Sequence, residues 1–442
     1  MKLRFAIPPT APLHVGSARI ALINWLLARR HAAHFTLRLD DLETPIPDTP
    51  ANDLRWLGLD WDAEIRQSDR TPLYEAAIER LKAAGRLYPC FESDEELNSK
   101  RDTRQRRNET ALYDRAMLKL TPEQHTRAEA GGKRPYWRFL LSGVPAEWGD
   151  MILGRQEVKL SAISDPILVN AEGTPLPALR SAVDDLDCGI THIVRSQDHT
   201  EGTGIQIDLT AALGTTVGRG GGPIRFAHLP PLLDAKGARL HQRTSALTLR
   251  HLRQDGIEPP ALAATLARLG THIPPEAALP AAMAPTFDLA AIARASPRFD
   301  PRLLLKLNRR ALQSLSFESV RDRLPVGATP AFWHAIRGSL DLLREARGWW
   351  EVVTGHIVSP FVDDDAELLQ HAQAALPPEP WDFGTWDRWT AALQTITGRT
   401  PKQLGRPLRL ALTGEEHTPD LSVLLPLMGH ARVAERLRLA AA

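Results

Sequence analysis

The stretch Arg4 to His31, RFAIPPTAPLHVGSARIALINWLLARRH, decides the fold. It begins inside a strand. Leu3, Phe5 and Ile7 alternate with Lys2, Arg4 and Ala6, the two-residue period of a pleated chain. Pro8 and Pro9 withdraw backbone donors and end it. Ser17 is the expected cap of a helix running from about Ala18 to His31. Its apolar residues (Ile20, Leu22, Ile23, Trp25, Leu26, Leu27) lie nearly all round, which predicts burial. Arg29, Arg30 and His31 suit the negative end of its dipole. Phe35 to Leu39 reads as a second strand ending at Asp40 and Asp41. A strand–helix–strand unit of this size implies a parallel sheet with a right-handed crossover.

Open parallel sheets bind ligands at the carboxyl ends of their strands. Four loops are expected there: Pro8 to Ser17, Asp40 to Leu42, Arg195 to His199, and Leu232 to Arg243. Gly16 lets a flat base or a phosphate approach the backbone. The free N–H groups of the following helix favour an anion. His14 can donate to phosphate oxygens as negative charge builds in a displacement at phosphorus. No Gly-Lys-Ser/Thr element is present, which argues against a P-loop nucleotide site.

From Pro89 to about Leu160 charges crowd together and the strand–helix alternation stops, the texture of an inserted domain. Alternation returns at Pro166 to Val169, Ile190 to Val194 and Ile224 to Leu229, so the sheet reads as split by the insertion and completed after it. Beyond about Leu247 strand signals fade. Ala261 to Leu269, Arg302 to Leu315, Ala331 to Ala346 and Asp420 to Leu439 read as helices. The 442 residues carry 54 Lys+Arg against 53 Asp+Glu, which argues against a polybasic binder relying on bulk charge. No apolar run is long enough for a transmembrane helix, and the first residues lack the pattern of a secretory signal. Cys90 and Cys188 are the only cysteines, too few for a disulfide scaffold or a four-ligand zinc site. A cytoplasmic chain with no membrane partner is expected.

Further motifs continue the pattern: LRLDDLE at 37–43, DLRWLGLDWD at 53–62, Gln67-Ser68, VDDLDCGITHIVRSQDH at 183–199, FAHLPPLLDAKG at 226–237 and GRPLRLALTG at 405–414. In this order and spacing they resemble the class I aminoacyl-tRNA synthetases, and within them the bacterial glutamyl-tRNA synthetases. His14 to Ser17 stands at the HIGH motif of that family. The resemblance implies an α/β fold, a split Rossmann-type parallel sheet with an inserted acceptor-binding domain and an all-helical C-terminal domain. It divides the chain into 1–88 (first half of the catalytic domain), 89–180 (acceptor-end binding), 181–245 (second half), 246–318 (stem contact) and 319–442 (anticodon binding).

The activity it implies is ATP-dependent activation of glutamate to glutamyl-adenylate, then transfer to the 3′ end of tRNA(Glu). ATP arrives with Mg²⁺, no zinc is expected, and a monomer is implied. His14, Gly16 and Arg243 stand at the family's catalytic positions. Ser17, Asp198, Leu232, Leu233 and Arg239 join His14 and Gly16 at its ATP-binding positions. Arg4, Pro8, Asp40, Pro177 and Arg195 stand at the amino-acid positions, with the arginines facing the carboxylates and Asp40 the amino group.

Three positions depart from the family pattern. Pro8 replaces a serine, Pro177 replaces a tyrosine, and the run Arg239-Leu240-His241-Gln242-Arg243 carries Gln242 where the KMSKS-type loop has its second lysine. They motivate an alternative expectation, a catalytically decayed or specificity-altered paralogue that binds tRNA.

Overall fold

The computed structural model describes residues 1–7, 12–44, 49–107, 112–214, 223–240, 247–357 and 365–441. They form two compact units. The first is Met1–Arg250 with Leu266–Asp300, and the second is His251–Thr265 with Pro301–Ala442.

In the first unit, β1 (Lys2–Ile7), β2 (His34–Leu39) and β3 (Ala63–Arg66) form a parallel sheet with β2 central. Leu3, Ile7 and Leu37 are fully buried. The helix Val15–Arg30 links β1 to β2 and buries both its apolar residues and Asn24. It begins three residues earlier than its sequence suggests. His14 takes an extended backbone (φ −83°, ψ 156°), and its ring, not the Ser17 hydroxyl, accepts the N–H of Gly16. Ser17 lies inside the first turn.

Three further strands, β4 (Leu87–Cys90), β5 (Tyr136–Phe139) and β8 (Ile167–Val169), make a separate antiparallel sheet with β5 central. Between β5 and β8 in the chain lies an antiparallel hairpin, β6 (Ala146–Asp150) and β7 (Gly154–Val158). Pro166 to Val169 therefore does not rejoin the parallel sheet. The Phe139 N–H takes the Pro166 carbonyl at 2.8 Å and commits this segment to β5. Parallel pairing resumes with β9 (His192–Ser196) and β10 (Arg225–Leu229). β9 starts beside β1, where the Thr191 N–H donates to the Lys2 carbonyl at 3.0 Å.

Between its described residues the second unit shows helices and turns. Asp420 to Leu439 is two helices, Leu421–Met428 and His430–Ala440, because Gly429 (φ +80°) breaks the run. Ala331 to Ala346 divides into the helix Pro330–Ile336, turns, and a 3-10 helix Leu343–Glu345 that leads into the helix Ala346–Thr354. Two arginines tie three helix C-termini together. Arg436 is buried and donates to the carbonyls of Leu412 and Val352 (both 2.6 Å) and Gly355 (2.9 Å). Arg432 donates to those of Val353 (2.7 Å), Thr354 (3.0 Å) and Met428 (2.5 Å). A helix leaves its last carbonyls unpaired and partly negative, so a guanidinium there is both donor and counter-charge. No helix of the described residues is long and apolar enough to cross a membrane.

Candidate active site

A cavity of about 870 Å³ opens in the first unit at the carboxyl ends of β1, β2, β9 and β10, where Ala6, Asp40, Ser196 and Leu229 line it. Its size suits a nucleotide together with a small second substrate.

One wall is the start of the helix Val15–Arg30. The His14 Nδ1 accepts the Gly16 N–H at 3.3 Å, so Nε2 carries the proton. That Nε2 is buried and has no hydrogen-bond partner among the described residues. Burial also lowers the pKa of His14 below its ordinary 6.5, so the ring is a neutral donor at neutral pH. Among the described residues a Cβ on Gly16 would meet only His14 Nδ1, at 3.8 Å.

A buried network of charges forms the floor. Arg4 is 8% exposed and gripped by Asp185, Nε to Oδ1 at 2.9 Å and Nη2 to Oδ2 at 3.1 Å. Asp185 also accepts Gln206 Nε2 at 2.7 Å. Arg38 holds Asp40 through the same fork, at 2.7 and 3.1 Å, and reaches Ser181 Oγ at 2.7 Å. Burial alone would weaken the proton affinity of Arg38, but Asp40 and Asp185 outweigh it and raise the pKa. Its Nη1 is buried without a hydrogen-bond partner among the described residues, 3.8 Å from Asp184 and 3.9 Å from Asp185.

Arg195 differs from both. Its Nη2 donates to Thr203 Oγ1 at 2.5 Å and its Nε faces His228 Nε2 at 3.4 Å, while its guanidinium lies 5.4 Å from the Phe226 ring centre. Among the described residues no carboxylate pairs with it. Burial first, and the nearby Arg4 second, lower its pKa to about 9. It remains a cation at neutral pH, held in a cavity wall without a counter-ion.

A further wall is formed by Pro230, Pro231 and Leu232, with Arg239 paired to Asp198. Arg19, 2% exposed, donates to the carbonyls of Pro230 at 3.1 Å and Leu269 at 3.0 Å, and so fixes the start of this wall.

Comparisons with known proteins show the family. Residues 1–285 match the catalytic-domain family of class I tRNA synthetases (E and Q). The chain belongs to the class I tRNA synthetases of that family. Residues 356–441 match an anticodon binding domain. The chain is 52% identical to glutamate–tRNA ligase 2 of Gluconacetobacter diazotrophicus, with all of both chains covered. It is 53% identical to glutamate–tRNA ligase 2 of Granulibacter bethesdensis, over 99% of this chain and 98% of that one. A crystal structure of a glutamate tRNA ligase from Elizabethkingia meningosepticum shares the fold, with a TM-score of 0.83 at 22% identity over 100% of this chain and 99% of that one.

Within this synthetase fold the cavity brings together Arg4, His14, Gly16, Ser17, Asp40, Pro177, Arg195, Asp198, Leu232 and Arg239, ten of the positions singled out by sequence. Leu233 is not on its lining. Its N–H and C=O are spent on Pro297 (2.9 Å) and Phe299 (2.8 Å), a pairing sequence spacing does not reveal. Pro8, Gln242 and Arg243 lie outside the described residues. Pro177 starts the helix Pro177–Asp187, where its missing N–H costs nothing, and presents an apolar ring to the cavity. Sequence reading missed Arg38, Arg19, Thr203 and His228. The one available signal is Arg38 standing two residues before Asp40, at the end of the strand His34–Leu39.

Proposed function

We propose that this chain is a glutamate–tRNA ligase. It joins glutamate to ATP as glutamyl-adenylate, releasing pyrophosphate, and passes the glutamyl group to the terminal adenosine of tRNA(Glu), releasing AMP. The observation that carries the reading is Arg195, a half-buried cation on the cavity wall with no carboxylate partner among the described residues.

Glutamate carries two carboxylates and one ammonium group, a net charge of −1. Arg4 and Arg38 already have Asp185 and Asp40 as ion-pair partners, whereas Arg195 has no carboxylate within ion-pair distance among the described residues. A side-chain carboxylate there neutralises it through paired, charge-assisted hydrogen bonds. Glutamine, with no net charge, leaves Arg195 unpaired, and a half-buried charge left unpaired is costly. Asp40, held by Arg38, offers oxygen lone pairs to the ammonium group. Arg4, with Nη1 unused among the described residues, faces the α-carboxylate.

That carboxylate attacks the α-phosphorus of ATP, which enters as its Mg²⁺ complex. The new O–P bond forms as the bond to pyrophosphate breaks. The His14 Nε2–H donates to the phosphate oxygens as their charge rises, and the face over Gly16 receives the nucleoside. No side chain acts as a nucleophile; the site positions two substrates and stabilises charge.

The remaining parts of the chain fit delivery of tRNA. The helix Asp94–Arg106 has no buried residue and carries Lys100, Arg101, Arg104 and Arg106, suited to acceptor-end phosphates. Within 356–441, Trp386 and Arg409 line a pocket of about 440 Å³, and indole and guanidinium faces both stack on bases. Charging of total tRNA, tried with each amino acid in turn, tests the function. Acid-precipitable label is expected with glutamate and not with glutamine. Label with another amino acid, or none, overturns it.

A further inference from the structure

Arg195 is held from behind by a chain of side chains that do not line the cavity. The first is Thr203, fully buried, whose Oγ1 accepts Arg195 Nη2 at 2.5 Å and lies 2.8 Å from His228 Nε2. The second is His228, also fully buried, whose Nδ1 lies 2.5 Å from Asp150 Oδ2. Asp150 ends β6 and is itself fixed, its Oδ1 accepting the backbone N–H groups of Ile152 (3.0 Å), Leu153 (2.9 Å) and His228 (3.2 Å). Asp150 is held ionised and can only accept, so the His228 Nδ1 donates to it, and the His228 Nε2 accepts because the Arg195 Nε–H facing it can only donate. Nε2 is then the acceptor that Thr203 and the Arg195 Nε–H both meet.

The hairpin carrying Asp150 is seated where this chain requires it. The Met151 N–H takes the Phe226 carbonyl at 2.8 Å, so the end of β6 runs along β10. Behind it Gly204, next to Thr203, leaves room for Val158 of β7: a Cβ on Gly204 would stand 2.7 Å from the Val158 side chain. Helix, hairpin and β10 thus meet at the three linked side chains.

We propose that Asp150, His228 and Thr203 are positioning residues that aim the Arg195 guanidinium into the cavity, so that the β6–β7 hairpin sets the affinity for the amino acid. The inference rests on the reading of Arg195 as the carboxylate ligand. Removing a relay member frees Arg195 to rotate within its wall, which weakens amino-acid binding and leaves the wall of Pro230, Pro231 and Leu232 alone.

The test is Thr203→Val, which keeps shape and removes the hydroxyl, beside Thr203→Ser, which restores it. In steady-state tRNA charging, T203V is expected to raise the KM for glutamate at least about tenfold, the worth of one hydrogen bond to a charged group, with the KM for ATP within about twofold. T203S is expected to recover most of the loss. Equal increases in both KM values, an unchanged KM for glutamate, or no recovery in T203S overturns the relay. A second measurement needs no variant. The His228 proton shared with Asp150 is expected as a low-field proton resonance that shifts when glutamate is added and stays put with ATP; a resonance indifferent to saturating glutamate overturns it. If the wild-type chain charges no tRNA with glutamate, the functional reading falls by itself. The relay is then judged on the free protein by the Arg195 Nε–H resonance, protected from exchange in the wild type and lost in T203V. Equal protection in both overturns it.

Discussion

Arg4 and Asp185, 181 residues apart in the chain, face each other through two parallel hydrogen bonds of 2.9 and 3.1 Å. One comes from the first strand and the other from the helix Pro177–Asp187, so the pair ties two distant stretches of chain together under the cavity. Asp185 stays ionised in spite of burial because Arg4 and Arg38 stand beside it. Replacing it by asparagine keeps the shape and leaves buried guanidinium charge uncompensated. Asp185→Asn is expected to cost about 3–5 kcal/mol of stability, read as a lower urea midpoint with an unchanged slope. The sign with pH follows. The carboxyl pKa is lowered in the folded chain, so this contribution is complete above about pH 4, its ordinary range, and is lost as the pH falls through the folded value. A midpoint for D185N equal to that of the wild type at neutral pH would count against the network.

Gly16 lines the cavity, and among the described residues a methyl group on it would find nothing but His14 within 4 Å. Gly16→Ala therefore strains nothing, and alanine favours the helix by roughly 0.5–1 kcal/mol. The melting temperature is expected to hold or rise slightly. The methyl group, however, occupies space meant for the nucleoside, and the KM for ATP is expected to rise by about tenfold, or about 1.4 kcal/mol. A KM for ATP that does not change would place the nucleotide elsewhere.

His14 must be neutral for its Nδ1 to accept the Gly16 N–H. Burial lowers its pKa below 6.5, so the neutral form persists on mild acidification. The pH profile of kcat/KM for ATP reports the free enzyme. Its acid limb is expected to have a midpoint below 6.5, the free imidazole value. A midpoint above 6.5 would mean that the cation is the stabilised form and would contradict this geometry.

Arg436 donates to three main-chain carbonyls in the second unit and has lost proton affinity through burial, to about 10. Its role is to satisfy helix ends. Arg436→Met fills the space but leaves the Leu412, Val352 and Gly355 oxygens unpaired, at roughly 1–3 kcal/mol for each buried group. Thermal unfolding of R436M is expected at a clearly lower temperature than the wild type, with Arg436→Lys between them. Identical melting of R436M and wild type would show that these carbonyls are otherwise satisfied.

Much of the first unit is legible in the sequence because its signals are local. Alternation marks β1, a crowded apolar run marks the helix after it, and a glycine beside a histidine marks the loop between them. The residues that sequence reading misses act through partners far away in the chain. Arg38 looks like a surface charge on an alternating strand, yet it is 3% exposed because Asp184 and Asp185 come from a helix over 140 residues later. His228 reads as one polar residue on an apolar strand until Asp150, 78 residues earlier, is brought to its Nδ1. The cap of the helix differs from expectation for a related reason. Serine is the commoner cap, but the ring of His14 reaches the Gly16 N–H first. Leu233 falls beside the cavity and not on it because its backbone pairs with 297–299, a segment without strand character of its own.

The account stands or falls on where the carboxylate of the amino acid sits. A crystal structure of the chain with a sulfamoyl analogue of glutamyl-adenylate measures this directly. The expected result places the side-chain carboxylate within hydrogen-bond distance of the Arg195 guanidinium, the ammonium group on Asp40 and the sulfamoyl oxygens facing His14 Nε2. An analogue seated with Arg195 still unpaired, or bound outside the cavity, would contradict it.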